Sequence, residues 1–172
     1  VQTSENHEGH QEAEAIIAPI EVANEFTEQL TKVYDAYLEM KNAFVKSEAG
    51  KVKKEASKVL ANLELVDMGL LEGDAHMIWM GQLEIIENKL KTIQSESDIE
   101  KQRTEFAAFN LTFYKSLKNF GLSDKATYYQ FCPMALDNAG AFWFSSTEEI
   151  FNPYFGDMML SCGETKETLH KK

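Results

Sequence analysis

At 172 residues, 44% apolar and 26% charged, the chain is long enough for one domain with a real core. Its formal net charge of −11 argues against nucleic acids and anionic membrane surfaces, which require basic patches, and no run approaches the roughly 18 apolar residues of a membrane span. Two cysteines fit either one disulfide in an oxidising compartment or a thiolate metal site.

The chain begins acidic: its first 31 residues hold seven Glu and no Lys or Arg. Up to about Ala18 apolar periodicity is absent, so residues 1–18 read as a solvated leader or linker and 19–172 as a single domain. The leader includes His7 and His10, a loose imidazole pair around Gly9.

From Ile20 to Phe131 there is no proline, and the apolar period is helical. Pro19 suits a first turn, and Phe26, Leu30, Val33, Tyr37, Met40 and Phe44 stripe the first helix. Ser47 is a cap for a second helix carrying Val52, Ala56, Val59, Leu63, Val66 and Leu70. Gly73 supplies a stop and Asp74 the next cap. The third helix presents Trp79, Leu83, Ile86, Leu90 and Ile93. Ser97 with Glu100 reads as a capping box. The fourth helix then shows Ile99, Phe106, Phe109, Phe113, Leu117 and Phe120, ended by Gly121. Four such helices with short connections predict an all-α, up-down four-helix bundle.

Past Gly121 the period breaks. Thr127–Phe131 and Ala141–Ser145 are β-prone and flank the turn-like Asp137–Gly140, which predicts a short hairpin. Nine of the nineteen aromatics lie between Tyr128 and Phe155, so about 127–169 should form a folded C-terminal cap, not a tail.

Sulfur is the chemistry this cap carries. Cys132-Pro133-Met134 and Met159-Leu160-Ser161-Cys162 hold both cysteines, each with a methionine nearby. Thiolate and thioether are the soft ligands that select Cu(I). If the second string is helical, Met159 and Cys162 share a face, with Met158 as the substitute. Three outcomes stay open on residue chemistry: a Cys132–Cys162 disulfide, a soft-metal site, or inert buried thiols with gap-filling methionines. The first two require the cysteines to lie close together. His76, one heptad before Leu83 on the inward stripe, is a further imidazole candidate, though such a histidine is more often a core residue. Gly-x-Ser-x-Gly, His-Glu-x-x-His and phosphate-loop patterns are missing, and the expected helices lack the Glu-x-x-His pairs of di-iron bundles, so the expectation is a non-enzyme.

The strings Tyr129-Gln130-Phe131-Cys132-Pro133-Met134-Ala135, Gly140-Ala141-Phe142-Trp143 and Ile150 through Asn152-Pro153-Tyr154-Phe155-Gly156 to Met159-Leu160-Ser161-Cys162-Gly163 resemble the domain-of-unknown-function 3347 family of bacterial envelope proteins. Asp98–Arg103, Phe106 and Lys118–Gly121 resemble it too, so the likeness runs from about Phe26 to Leu169. Members are small secreted or lipid-anchored proteins, or C-terminal domains of periplasmic adaptors in copper and silver efflux pumps. The resemblance implies a periplasmic or cell-envelope location, a lipid anchor upstream of Val1, and an efflux adaptor or other envelope protein as partner. It marks Cys132, Met134, Met159 and Cys162 as motif positions. Many members have His before the motif Cys, where this chain has Phe131. The expected function is binding of Cu(I) or Ag(I) in metal efflux or homeostasis. The alternative is a non-catalytic interaction module braced by a Cys132–Cys162 disulfide.

Overall fold

The computed structural model describes residues 17–171. The expected leader, His7 and His10 included, lies almost wholly outside them. Four long helices come first: α1 (Asn24–Val45), α2 (Ala49–Glu64), α3 (Gly73–Ser95) and α4 (Ile99–Phe120). A small antiparallel sheet follows, made of β1 (Thr127–Cys132), β2 (Ala141–Ser145) and β3 (Glu164–Leu169).

The expected stripes are buried because each recurs every three or four residues along a helix. Phe26, Leu30, Val33, Tyr37, Met40 and Phe44 of α1 are completely covered, as are Val52, Ala56 and Val59 of α2, Trp79, Ile86, Leu90 and Ile93 of α3, and Phe106, Phe109, Phe113 and Phe120 of α4. Leu83 and Ile99 are only half-buried. Successive helices pack on one another. Ring contacts join the start of α1 to the end of α4 (Phe26–Phe120, 5.1 Å) and the end of α1 to the start of α4 (Phe44–Phe106, 4.4 Å), so these two run antiparallel. Gln82 of α3 bonds Asn119 of α4 at 2.7 Å, and Lys89 meets Glu105 at 3.1 Å, which makes that pair antiparallel as well.

The helix boundaries differ from the expected ones in three places. Ser47 does not cap α2: it sits at φ 56, and its hydroxyl accepts from the Arg103 guanidinium at 2.9 Å. α2 ends at Glu64, not near Leu70, because Asp67 accepts from the Gly69 N–H and sets up a 3-10 turn over Met68–Leu70. Gly73 therefore opens α3 instead of stopping α2. At α4, Asp98 is the cap, its carboxylate accepting from Glu100 and Lys101 N–H groups at 2.9 and 3.1 Å, one residue past Ser97.

The sheet corrects the all-α expectation. The hairpin forms, with Tyr129 opposite Phe144 and Cys132 opposite Ala141, but β3 pairs with the other edge of β1, giving the order β2-β1-β3. Glu164-Thr165-Lys166-Glu167-Thr168-Leu169 has too little apolar alternation to read as a strand; its place is fixed by backbone pairing and by Glu167, which accepts from Lys118 and from Tyr114, each at 2.6 Å. Within the hairpin connection, Leu136, Asp137 and Asn138 form a left-handed turn (φ 53, 54 and 66).

Candidate functional site

Residues two apart on a strand share a face, so β1 sorts its side chains cleanly. Tyr129 and Phe131, with Phe142 and Phe144 opposite them, form one face; Gln130 and Cys132, with Trp143 and Ala141 opposite, form the other. The first face meets the helices: Tyr129 stacks on Tyr114 at 4.4 Å, and Phe144 lies edge-on to Phe113 and Tyr37. The second face is covered by the loop between β2 and β3. Gln130 ties that loop down, donating to the carbonyls of Thr147 (3.2 Å) and Glu148 (3.1 Å).

Three residues then shape the loop so that Cys162 returns to Cys132. Asn152 is fully buried; its amide donates to the Cys162 carbonyl at 2.8 Å and its side-chain oxygen accepts the Tyr154 N–H at 2.8 Å. Arg103 of α4, also buried, donates through Nε to the Pro153 carbonyl at 2.8 Å and through its terminal nitrogen to the Phe44 carbonyl at 3.1 Å, which fastens the loop to the helices. Gly163, at φ +139, lies so close to Trp143 that a Cβ there would stand 2.9 Å from the indole ring.

The result is a thiol pair. The sulfurs of Cys132 and Cys162 are 3.0 Å apart, meeting the expectation that the two lie close together. Both are free thiols; Cys132 is fully buried, whereas Cys162 is half-buried. The hydrogen bond with Cys132, and then burial, push the Cys162 thiol up to about 11. At neutral pH Cys162 therefore keeps its proton.

The methionines are arranged less tightly. Met134 follows Cys132-Pro133 and is 46% exposed; Met158 is 86% exposed, and Met159 is half-buried. The expected shared helical face for Met159 and Cys162 is not there. The 3-10 turn Gly156–Met158 stops before Met159, which takes φ −148 and ψ 53, because Asn152 pulls the Leu160 and Cys162 carbonyls toward itself. Met158 instead lines a half-open cavity of about 580 Å³ with Leu136, Asp137 and Phe155.

His76 is placed elsewhere. It is half-buried in the first turn of α3, one turn before Trp79, which packs on Phe26 and Phe120. The thiol loop is anchored at Arg103 and Phe106, the opposite end of α4, roughly 20 Å away at 1.5 Å per residue. Among the described residues no group of three or more His, Cys, Asp and Glu side chains converges. Asn152 and Arg103 were not singled out by residue chemistry, since a loop Asn and a helix Arg look like ordinary surface residues; only the resemblance strings contain them.

A family model described as a protein of unknown function (DUF3347) matches residues 33–125, more than half of the chain, and the chain belongs to that family. The match spans most of the helices and ends before β1, so both thiols lie beyond it. No curated protein and no solved structure matches the chain.

Proposed function

We propose that this member of the DUF3347 family captures one soft monovalent cation, Cu(I) or Ag(I), between Cys132 and Cys162, with Met134 and Met159 as thioether donors. One observation carries the reading: two free thiols 3.0 Å apart, one fixed in a strand and the other half-open on a loop. Thiolates sharing a metal at about 2.3 Å each must stand somewhat further apart than this. Cys162 is the partner able to move, since it lies on a loop, whereas Cys132 is paired with Ala141 at the end of the central strand of the sheet. Sulfur donors without nearby imidazole favour a soft ion over Zn(II). The four helices serve as an up-down bundle that holds the sheet. The resemblance of the sulfur strings supports a cell-envelope location and an efflux adaptor or other envelope protein as partner.

A second reading, a non-catalytic interaction module, draws on the exposed apolar side chains Met77, Met80, Ile85 and Leu111 of α3 and α4. Anaerobic competition with a colorimetric Cu(I) chelator separates the two. The reduced chain should withdraw about one equivalent of Cu(I), and Cys162→Ser should lose at least about tenfold in affinity, because thiolates supply most of the binding. Equal, poor competition by wild type and Cys162→Ser would leave the interaction module as the better account.

A further inference from the structure

We propose that Cys132 and Cys162 form a reversible dithiol/disulfide couple with fixed roles: Cys162 meets the oxidant and Cys132 resolves. The positions of the two sulfurs set these roles. Cys132 is fully covered under the loop, whereas Cys162 is half-buried, so a bulky oxidant reaches only the second sulfur. The two sulfurs stand 3.0 Å apart, so closure to an S–S bond of about 2.05 Å needs a shift of about 1 Å. The loop holds Cys162 at that distance through the Asn152 amide on its carbonyl, and Gly163 lets the chain pass flat against Trp143.

The oxidant is a disulfide, either a small molecule or a thiol oxidoreductase. In the first exchange Cys162 gives up its proton and attacks one sulfur of the oxidant as the thiolate; a mixed disulfide forms, and the oxidant's other half leaves as a thiolate that takes up the released proton. In the second, the Cys132 sulfur attacks Cys162 Sγ, the bond to the bound half breaks, and that half departs as a second thiol. The couple gives up two electrons and two protons, and one oxidant disulfide becomes two thiols. The closed pair has no thiolate to offer, so oxidation shuts the metal site; this last consequence alone rests on the proposed metal binding.

The test treats the full chain anaerobically with 2-hydroxyethyl disulfide, quenches with a maleimide, and weighs the intact protein. Wild type should lose two hydrogens without retaining an adduct, and dithiothreitol should restore it. Cys132→Ala should stop at a stable mixed disulfide on Cys162. Cys162→Ala should form adduct at least about tenfold more slowly, since its remaining thiol is covered. Equal adduct formation by the two variants overturns the assigned roles, and a wild type that accumulates adduct without closing overturns the couple. Circular dichroism of each variant confirms a helical fold before treatment, with Cys132→Val as the replacement should Cys132→Ala fail to fold. A separate arm adds Ag(I) to the reduced and oxidised wild type. Silver bound only by the reduced form supports the metal gate, and equal uptake by both overturns it. No uptake by either, with the thiol asymmetry intact, sinks the metal reading and leaves the couple standing.

Discussion

The two faces of the sheet are held in place by different forces. One face presses Tyr129 and Phe144 into rings from α1 and α4, where Tyr37 alone touches Phe106, Phe109, Phe113 and Phe144. The other is covered by a loop gripped at a few points by Gln130, Asn152 and Arg103. Ring packing spreads its stabilisation over many weak contacts. The polar grip concentrates it in single bonds, so one substitution can release a thiol without melting the helices.

The largest effect should come from the packed side. Phe106 is fully buried and its ring meets Tyr37, Phe44, Phe109 and Tyr154. Phe106→Ala should cost about 3–5 kcal/mol through lost transfer energy and the cavity left behind. Urea denaturation followed by far-ultraviolet circular dichroism measures it, and helices and thiol protection should be lost together. A cost under about 1 kcal/mol would mean that this ring cluster does not join the two layers.

Asn152→Ala should act on the gripped side. It removes two side-chain hydrogen bonds and leaves the Tyr154 N–H without its acceptor, a cost of about 1–3 kcal/mol. The informative readout is alkylation of Cys162, which should accelerate markedly in the variant while urea unfolding of the helices remains cooperative. Unchanged alkylation would show that the loop holds Cys162 without Asn152.

Lys41 lies 5% exposed on α1 among the apolar stripe residues, and burial lowers its pKa from 10.5 to about 8, the neighbouring Glu39 opposing this. Below pH 8 both states are protonated and the fold carries the full desolvation cost. Between pH 8 and 10.5 the unfolded chain holds more protons, so stability rises with pH. Tyr34, Tyr37 and Tyr154 work the other way. Burial raises each above the ordinary 10.0, so their contribution is intact below pH 10 and falls as the unfolded chain deprotonates beyond it. A stability maximum near pH 9–10 is expected, and Lys41→Met should stabilise the protein by about 1–2 kcal/mol at pH 7 but little at pH 10. Destabilisation by Lys41→Met at pH 7 would show that the ammonium is well solvated.

The same contrast governs what could be read from the chain. Each core stripe repeats every three or four residues, so Phe26 through Phe44 or Phe106 through Phe120 announce their own burial, and the hairpin strands announce themselves by β-branched and aromatic density. A cap or a clamp is a single residue whose role depends on one partner. Ser97 and Asp98 are both good caps by type, and only the path of the backbone selects Asp98. β3 is written in charged residues because it is an edge strand half open to water. The proximity of the two cysteines followed from pairing chemistry, but the geometry that produces it depends on Asn152, Arg103 and Gly163, whose partners lie up to 59 residues away along the chain. The shared helical face expected for Met159 and Cys162 failed for the same reason: the local spacing was right for a helix, and a distant amide bent the segment.

The smallest expected effect belongs to His76. It stands at the end of the helices where α1 begins and α4 finishes, one turn from Trp79, while the thiols are anchored where α4 begins. A ligand role would require a single ion to bridge roughly 20 Å, far beyond any metal–nitrogen distance of about 2.0–2.1 Å. His76→Ala should therefore leave Cu(I) competition unchanged. Its half-buried ring contributes only modest packing, so the stability change should stay within about 0.5 kcal/mol. The two readouts test different things. Loss of stability alone would assign the ring to the helix core, whereas loss of copper affinity with stability intact would show a second ligand set at the opposite end of the molecule. That second outcome would break the division between a helical body that only supports and a sheet face that binds.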